Sequence, residues 1–224
     1  MEHEPELRKL TISAARELGL IVTESHVEQF MRYLAHLLEW NKVINLTGII
    51  EPKEIIIKHF IDSLVALAAT SFSHNSLVLD VGSGGGFPGI PLKIVRSDIR
   101  LILVEPAQKK CSFLNSVIGL LQLRDVSTFN GTIEQYAKQP FPHAIDTVVV
   151  RALKYEDIKK HLPALMTSKG KVVLYRTSAI EKQNIGNGFH LLNETALMLP
   201  QESGKRVITV IEKDNPVTLS ISCT

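Results

Sequence analysis

Cysteine is nearly missing from this chain: two occur in 224 residues, Cys111 and Cys223. That excludes a disulfide framework and a thiolate metal site, leaves Cys111 as an ordinary buried thiol, and fits a reducing compartment. No apolar run approaches the ~18 residues of a membrane span. The opening Met1-Glu2-His3-Glu4-Pro5-Glu6 is acidic and lacks the apolar core of a secretion signal. A soluble cytoplasmic protein, monomeric and with no membrane partner, is expected. Neither sign of charge dominates, because 25 Lys and Arg against 23 Asp and Glu leave a formal net charge of +2. The total therefore demands no polyanionic partner, and a local basic face remains open. Internal repeats, low-complexity tracts and long linkers are also missing.

What is present is a hydrophobic content of 45%, sufficient for one substantial α/β core with an appendage. The expected division is a helical extension over residues 1–70, packed on a core over 71–224. Leu7, Leu10, Ala14 and Leu18 form a first helical stripe that Gly19 ends in a left-handed cap. Ser25 with Glu28 reads as the capping box of a second helix, whose stripe Val27, Phe30, Met31, Leu34 and Leu38 runs up to Trp40. A polar loop from Asn41 to Gly48 follows, then a third helix from near Pro52 to Ala69. Short apolar strands then alternate with amphipathic stretches, which predicts βαβ units and a parallel sheet. They fall at Leu77 to Val81, Arg100 to Glu105, Val126 to Asn130, Thr147 to Val150 and Lys171 to Tyr175. His190 to Leu199 and Arg206 to Glu212 are joined by too few residues for a crossover, so they read as a closing antiparallel hairpin.

The first strand opens into Asp80-Val81-Gly82-Ser83-Gly84-Gly85-Gly86-Phe87-Pro88-Gly89, a loop where a ligand can touch bare backbone and where glycines adopt positive φ. Pro88 suits the first turn of the next helix. Gly84, Gly86 and Gly89 fit the dinucleotide spacing G-x-G-x-x-G. Asp80-x-Gly82-x-Gly84-x-Gly86 fits the loop of S-adenosylmethionine methyltransferases. The hairpin favours the second reading, since a dinucleotide fold repeats a parallel half instead.

Other residues at the carboxyl edge of the sheet are candidates. Glu105 ends the second strand, where an acid accepts hydrogen bonds from ribose hydroxyls; its bland alternative is a solvated carboxylate. Phe87 either packs against a cofactor or anchors loop to helix. Ile133 and Glu134 follow Thr132 after the third strand, where an adenine is read or a helix is simply capped. Arg151 emerges from the strand Thr147 to Val150 and suits a cofactor carboxylate, a substrate phosphate or a surface ion pair. His59 and Asp62 share a helix face with Ser63 beside them. Without further ligands they make no metal site, and pinning the helices over the sheet while lining the cleft is the preferred role. Trp40 reads as a core anchor. Lys42, Lys58, Lys93, Lys109, Lys110 and Arg176 are the cations able to meet RNA phosphate, scattered and without aromatic interleaving.

Several separated strings coincide with one family. Leu38-Glu39-Trp40-Asn41-Lys42, Asn45-Leu46-Thr47, Lys58-His59-Phe60-Ile61-Asp62-Ser63-Leu64, the glycine loop through Leu92, Lys109-Lys110 with Phe113-Leu114, and Arg151-Ala152 resemble the bacterial small-subunit ribosomal RNA guanine-N7 methyltransferases. This family is also called glucose-inhibited division protein B. The resemblance runs from about Leu7 to Lys213 and includes Gly204-Lys205-Arg206-Val207. It implies a Rossmann-like methyltransferase fold, S-adenosylmethionine as cofactor, and 16S ribosomal RNA in the small subunit or its precursor as partner. By position it implies cofactor contacts at Asp80, Gly82, Gly84, Gly86, Phe87, Ile133, Glu134 and Arg151, with Glu105 at the ribose. Asn45, Thr47, His59, Asp62, Ser63 and Pro88 would line the cleft, and Arg151 would be the catalytic positioning group. The chain departs from the family pattern at Thr132, at Glu105-Pro106-Ala107 and at Tyr175-Arg176-Thr177.

Guanine N7 carries an in-plane lone pair and no proton, so the implied transfer needs alignment rather than a base. The lack of a convincing nucleophile, base and orienter set agrees with that. A small-molecule methyltransferase with the N-terminal helices as lid, a cofactor-binding assembly factor without transfer, and a dinucleotide oxidoreductase are the competing readings.

Overall fold

The computed structural model describes residues 3–140 and 144–215, so Cys223 and the first two residues lie outside it. Helix α1 (Glu4–Glu17) buries Leu7 and Ala14. Gly19 ends it at φ +71°, with Gly19 N–H on the Arg16 carbonyl and Leu20 N–H on that of Ala15, both at 2.9 Å. This is the paired-bond stop that a left-handed glycine permits. Helix α2 (Glu24–Asn41) starts two residues earlier than expected. Its cap is Thr23, not Ser25: Thr23 is extended and accepts from His26 N–H at 3.3 Å, while His26 Nδ1 accepts from Thr23 N–H. Ser25 is already inside the helix, so its hydroxyl is misplaced for the orphan N–H groups. Val27, Phe30, Met31 and Leu34 form the buried stripe, joined by Leu37.

The third helical stretch is not one regular helix. Helix α3 (Pro52–Ile55) widens into a π-helical turn at Ile56–Ile61 before continuing as α4 (Asp62–Leu64) and α5 (Ala66–Ala69). The wide turn falls on Lys58 and His59, the segment singled out by sequence.

The strands are β1 (Leu77–Val81), β2 (Arg100–Glu105), β3 (Val126–Asn130), β4 (Ile145–Arg151), β5 (Met166–Arg176), β6 (Phe189–Met198) and β7 (Lys205–Lys213). Among the described residues they form one sheet in the order β3-β2-β1-β4-β5-β7-β6. The first five run parallel, and β7 pairs antiparallel with both β5 and β6. The connections carry α6 (Gly89–Val95), α7 (Gln108–Leu121), α8 (Ile133–Ala137), α9 (Tyr155–Ile158) and α10 (Leu162–Leu165).

Strand alternation divides the core. Val78, Val149 and Val173 join the face packed by Phe30, Leu34, Phe60 and Phe113, whereas Leu79, Val148, Val150 and Val172 join the face packed by Tyr155, Ile158 and Leu162. Both faces being covered explains why Leu77 to Leu79 in β1 and Val148 to Val150 in β4 are consecutive apolar residues. Lys93 is a correction: it is 2% exposed and its ammonium donates to the carbonyls of Ser97 and Ile99, at 2.8 and 2.5 Å. It closes the end of α6 and is unavailable to RNA.

Candidate active site at the carboxyl edge

Strand order reverses between β1 and β4, the switch point outside whose strand ends sheets of this kind bind ligands. Val81 pairs with Val150, so the glycine loop after β1 and Arg151 at the end of β4 stand side by side.

The glycine loop is held by two acids. Glu105 is buried at the end of β2 and accepts from Gly84 N–H and Ala107 N–H, both at 2.9 Å. Asp80 accepts from Gly89 N–H at 2.8 Å through Oδ2, while its Oδ1 is buried without a partner. Burial lifts the Asp80 carboxyl to about 7, against the lowering effect of the Gly89 hydrogen bond and of Arg151. Gly82, Gly84 and Gly86 sit at φ +76°, +56° and +91°, the left-handed region the sequence predicts. A Cβ on Gly89 would fall 2.6 Å from Asp80 Oδ2, so glycine is required there by space. Gly82 and Gly84 are only half-buried, so part of their backbone is exposed beyond the end of β1. The side chain of Leu153, in the loop after β4, lies over Gly82.

Arg151 is the centre of the second part. Its Nη1 donates to Asp62 Oδ2 and to the Lys58 carbonyl, both at 3.2 Å, and Nη2 lies 3.3 Å from His59 Nδ1. In a regular α-helix the Asp62 N–H would take the Lys58 carbonyl. Here it takes those of His59 and Ile57, and the Lys58 carbonyl accepts from Arg151. The π-turn thus supplies an acceptor for the guanidinium, in keeping with the placement of such turns at functional sites. Asp62 is also grasped by Arg206 from β7, Nε to Oδ1 at 2.6 Å and Nη2 to Oδ2 at 2.8 Å. One buried carboxylate therefore faces two guanidiniums, and the cluster is cationic overall. Burial, then Arg151, lowers His59 to about 4, so its ring is neutral near pH 7.

A cleft of about 600 Å³ opens against this cluster, lined by Lys58, His59, Asp62, Arg151, Arg176 and Arg206, with Tyr175 and Ile49 among its walls. His59, Asp62 and Arg151 are thus brought together as expected residues of one cleft. Thr47 stands behind them, its hydroxyl 2.7 Å from His59 Nε2. Asn45 is exposed and Pro88 buried, and neither lines this cleft. Ser63 is also off the cleft: its hydroxyl donates to the His59 carbonyl and its own carbonyl accepts from Tyr175, each at 2.5 Å. Phe87 is 5% exposed and stacks on His59 with centroids 4.7 Å apart, so it anchors loop to helix. Ile133 is buried at the start of α8, and Glu134 is exposed and paired with Lys138 at 3.0 Å. Trp40 packs against Phe113 in the core.

Sequence reasoning missed Arg206 and Tyr33. Arg206 was one residue in a matching string, with nothing local to link it to Asp62. Tyr33 looked like helix filler on α2, yet its hydroxyl donates to the Gly85 carbonyl and its ring stacks on Phe87. The described residues contain no group of three or more metal-ligating side chains. Nor, among them, is any helix long and apolar enough to cross a membrane.

Comparison with known proteins agrees with this geometry. The chain matches the GidB family, described as rRNA small subunit methyltransferase G, over residues 26–207. It is similar to the ribosomal RNA small subunit methyltransferase G of Desulforamulus reducens, with 37% identity over 219 residues, 92% of this chain and 91% of that one. The protein of that name from Bacillus cereus is 33% identical over 210 residues, 90% and 88% of the two chains. Among solved structures, TrmN from Thermus thermophilus shares the fold, with a TM-score of 0.57 at 15% identity over 70% of this chain and 53% of that one. With a family match spanning most of its length and relatives aligned almost end to end, the chain belongs to the GidB family of rRNA small subunit methyltransferases G.

Proposed function

We propose that this protein transfers a methyl group from S-adenosylmethionine to N7 of a guanine in 16S ribosomal RNA, acting in the cytoplasm on the small subunit or its precursor. The observation that carries this reading is the juxtaposition, at one sheet edge, of an acid-braced glycine loop and a cationic cleft. Bare backbone at Gly82 and Gly84, with Glu105 beneath, suits the nucleoside end of such a cofactor. Ile133 and Glu134 would complete its surroundings, while the buried Gly86 and Phe87 shape the loop from within, with Arg151 at the methionine carboxylate or at a substrate phosphate. When bound, the cofactor supplies an electrophilic methyl group on a sulfonium.

The residues of the cleft fit a reaction without a general base. Asp62 is committed to two arginines, and His59 is neutral with both ring nitrogens engaged. Neither is free to take a proton, and guanine N7 has none to give. The chain's contribution is then alignment of nucleophile and methyl group, worth effective molarities of up to ~10⁵ M or more. Lys58, Arg176 and Arg206 give the cleft the charge to hold phosphate beside the target base. An isolated guanine presents its N7 edge in a loop or junction, which favours assembled RNA shape over a short strand.

Incubation with labelled S-adenosylmethionine and small subunits from a strain lacking this protein tests the reading. Label in 16S RNA is expected. Label in small metabolites, or cofactor binding without transfer, would replace the reading with one of its competitors.

A further inference from the structure

The end of α2 and the loop that follows it carry the string Trp40 to Thr47, which the transfer reaction above leaves unused. Its hydrogen bonds lead to Arg151. Asn41 Oδ1 accepts the N–H groups of Leu46 and Thr47 at 2.8 and 3.0 Å, and Asn41 Nδ2 donates to the Thr47 carbonyl at 2.9 Å. So held, the Thr47 hydroxyl oxygen accepts from Ile49 N–H at 3.1 Å and meets His59 Nε2 at 2.7 Å. The other ring nitrogen, Nδ1, faces Arg151 Nη2 at 3.3 Å.

A guanidinium has donors only, so a hydrogen bond between the two requires Nδ1 to present a lone pair. The ring proton then resides on Nε2 and is donated to Thr47 Oγ1. The Lys58 carbonyl, 3.1 Å from Nδ1, also accepts from Arg151 Nη1 at 3.2 Å; a proton on Nδ1 would suit that carbonyl but would set N–H against N–H at Arg151 Nη2. Phe87 fixes the plane, since His59 stacks on one ring over which the Arg151 guanidinium also sits, 5.1 Å from the centroid.

We propose that His59 is a positioning residue for Arg151, and that Thr47, held by Asn41, sets its tautomer. The motif loop thereby controls the guanidinium at the boundary of glycine loop and cleft without touching either ligand. This deepens the proposed function and rests on it for the activity readout, although not for the tautomer.

Two measurements on the full chain test it. Nitrogen NMR of ¹⁵N-histidine-labelled protein reads the tautomer without any substrate: His59 protonated on Nε2 is expected, and a proton on Nδ1 overturns the proposal. Methyl transfer to small subunits reads the coupling. Thr47→Val, which removes the hydroxyl at constant shape, is expected to cut kcat/KM by ~10–100-fold, with Thr47→Ser restoring it to within about threefold. In an Arg151→Lys background the same Thr47→Val change is expected to cost under about threefold, because the group it positions is already gone. A Thr47→Val loss that persists in full beside Arg151→Lys, or an unchanged Thr47→Val enzyme, would overturn the proposal. Wild-type protein without transfer would instead sink the functional reading, and the NMR result would still decide the positioning claim.

Discussion

Arg206 closes on Asp62 through two parallel hydrogen bonds of 2.6 and 2.8 Å, joining the last strand to the helical segment 144 residues earlier in the chain. The carboxylate is 1% exposed and receives Arg151 as well. Planar bidentate pairing of this kind fixes geometry as well as charge, so the N-terminal helices, the end of β4 and the closing strand are locked to one another.

Removing that carboxylate leaves two largely buried guanidiniums without their anion. Asp62→Ala is expected to lower the unfolding free energy by about 3–5 kcal/mol, measured by urea denaturation at neutral pH. A loss below about 1 kcal/mol would mean that the arginines find other partners and that the lock is weaker than its geometry indicates.

Glu105 braces Gly84 and Ala107 from below. In Glu105→Ala both N–H groups lose their acceptor and the glycine loop loosens. Calorimetric titration with S-adenosylmethionine is expected to show affinity reduced by at least ~10-fold. Affinity equal to wild type would detach Glu105 from the cofactor side of the site.

Two buried groups titrate in opposite senses. Burial lifts folded Asp80 to about 7, above its unfolded value of ~3.8. The folded state therefore binds the extra proton, and the associated stability is complete below the unfolded value and lost as pH rises through 7. Folded His59 is lowered to about 4 by burial and by Arg151, so its contribution is present above pH ~6.5 and lost as pH falls through 4. Asp80→Asn isolates the first effect because His59 is common to both proteins. Between pH 5.5 and 8 the variant is expected to gain roughly 2 kcal/mol relative to wild type in urea denaturation. A difference independent of pH would contradict the assignment.

The sheet was legible because its physics is local. Parallel strands covered on both faces are short apolar runs, as in β1 and β2, whereas the edge strand β3, Val126–Asn130, was marked by its length and its place in the βαβ order. Arg151 was legible for the same reason, as a cation that Val148, Val149 and Val150 carry to the sheet edge. The π-turn was not, because one wide turn scarcely disturbs the apolar spacing of Ile56, Phe60 and Leu64. Arg206 was hidden by the sequence distance to Asp62, and the role of Asp80 and Glu105 by partners that are backbone N–H groups. Thr23 displaced Ser25 as cap because His26 substitutes for the usual Glu or Gln, a pairing that composition does not announce.

The most direct test of the whole account is to map the methyl group. Small subunits lacking the modification are treated with the purified protein and labelled S-adenosylmethionine, and the 16S RNA is then digested to nucleosides and mapped to position. The account requires label on N7 of guanine at a single site. Label on an exocyclic amine or ribose, label spread over many guanines, or no label in RNA would contradict it.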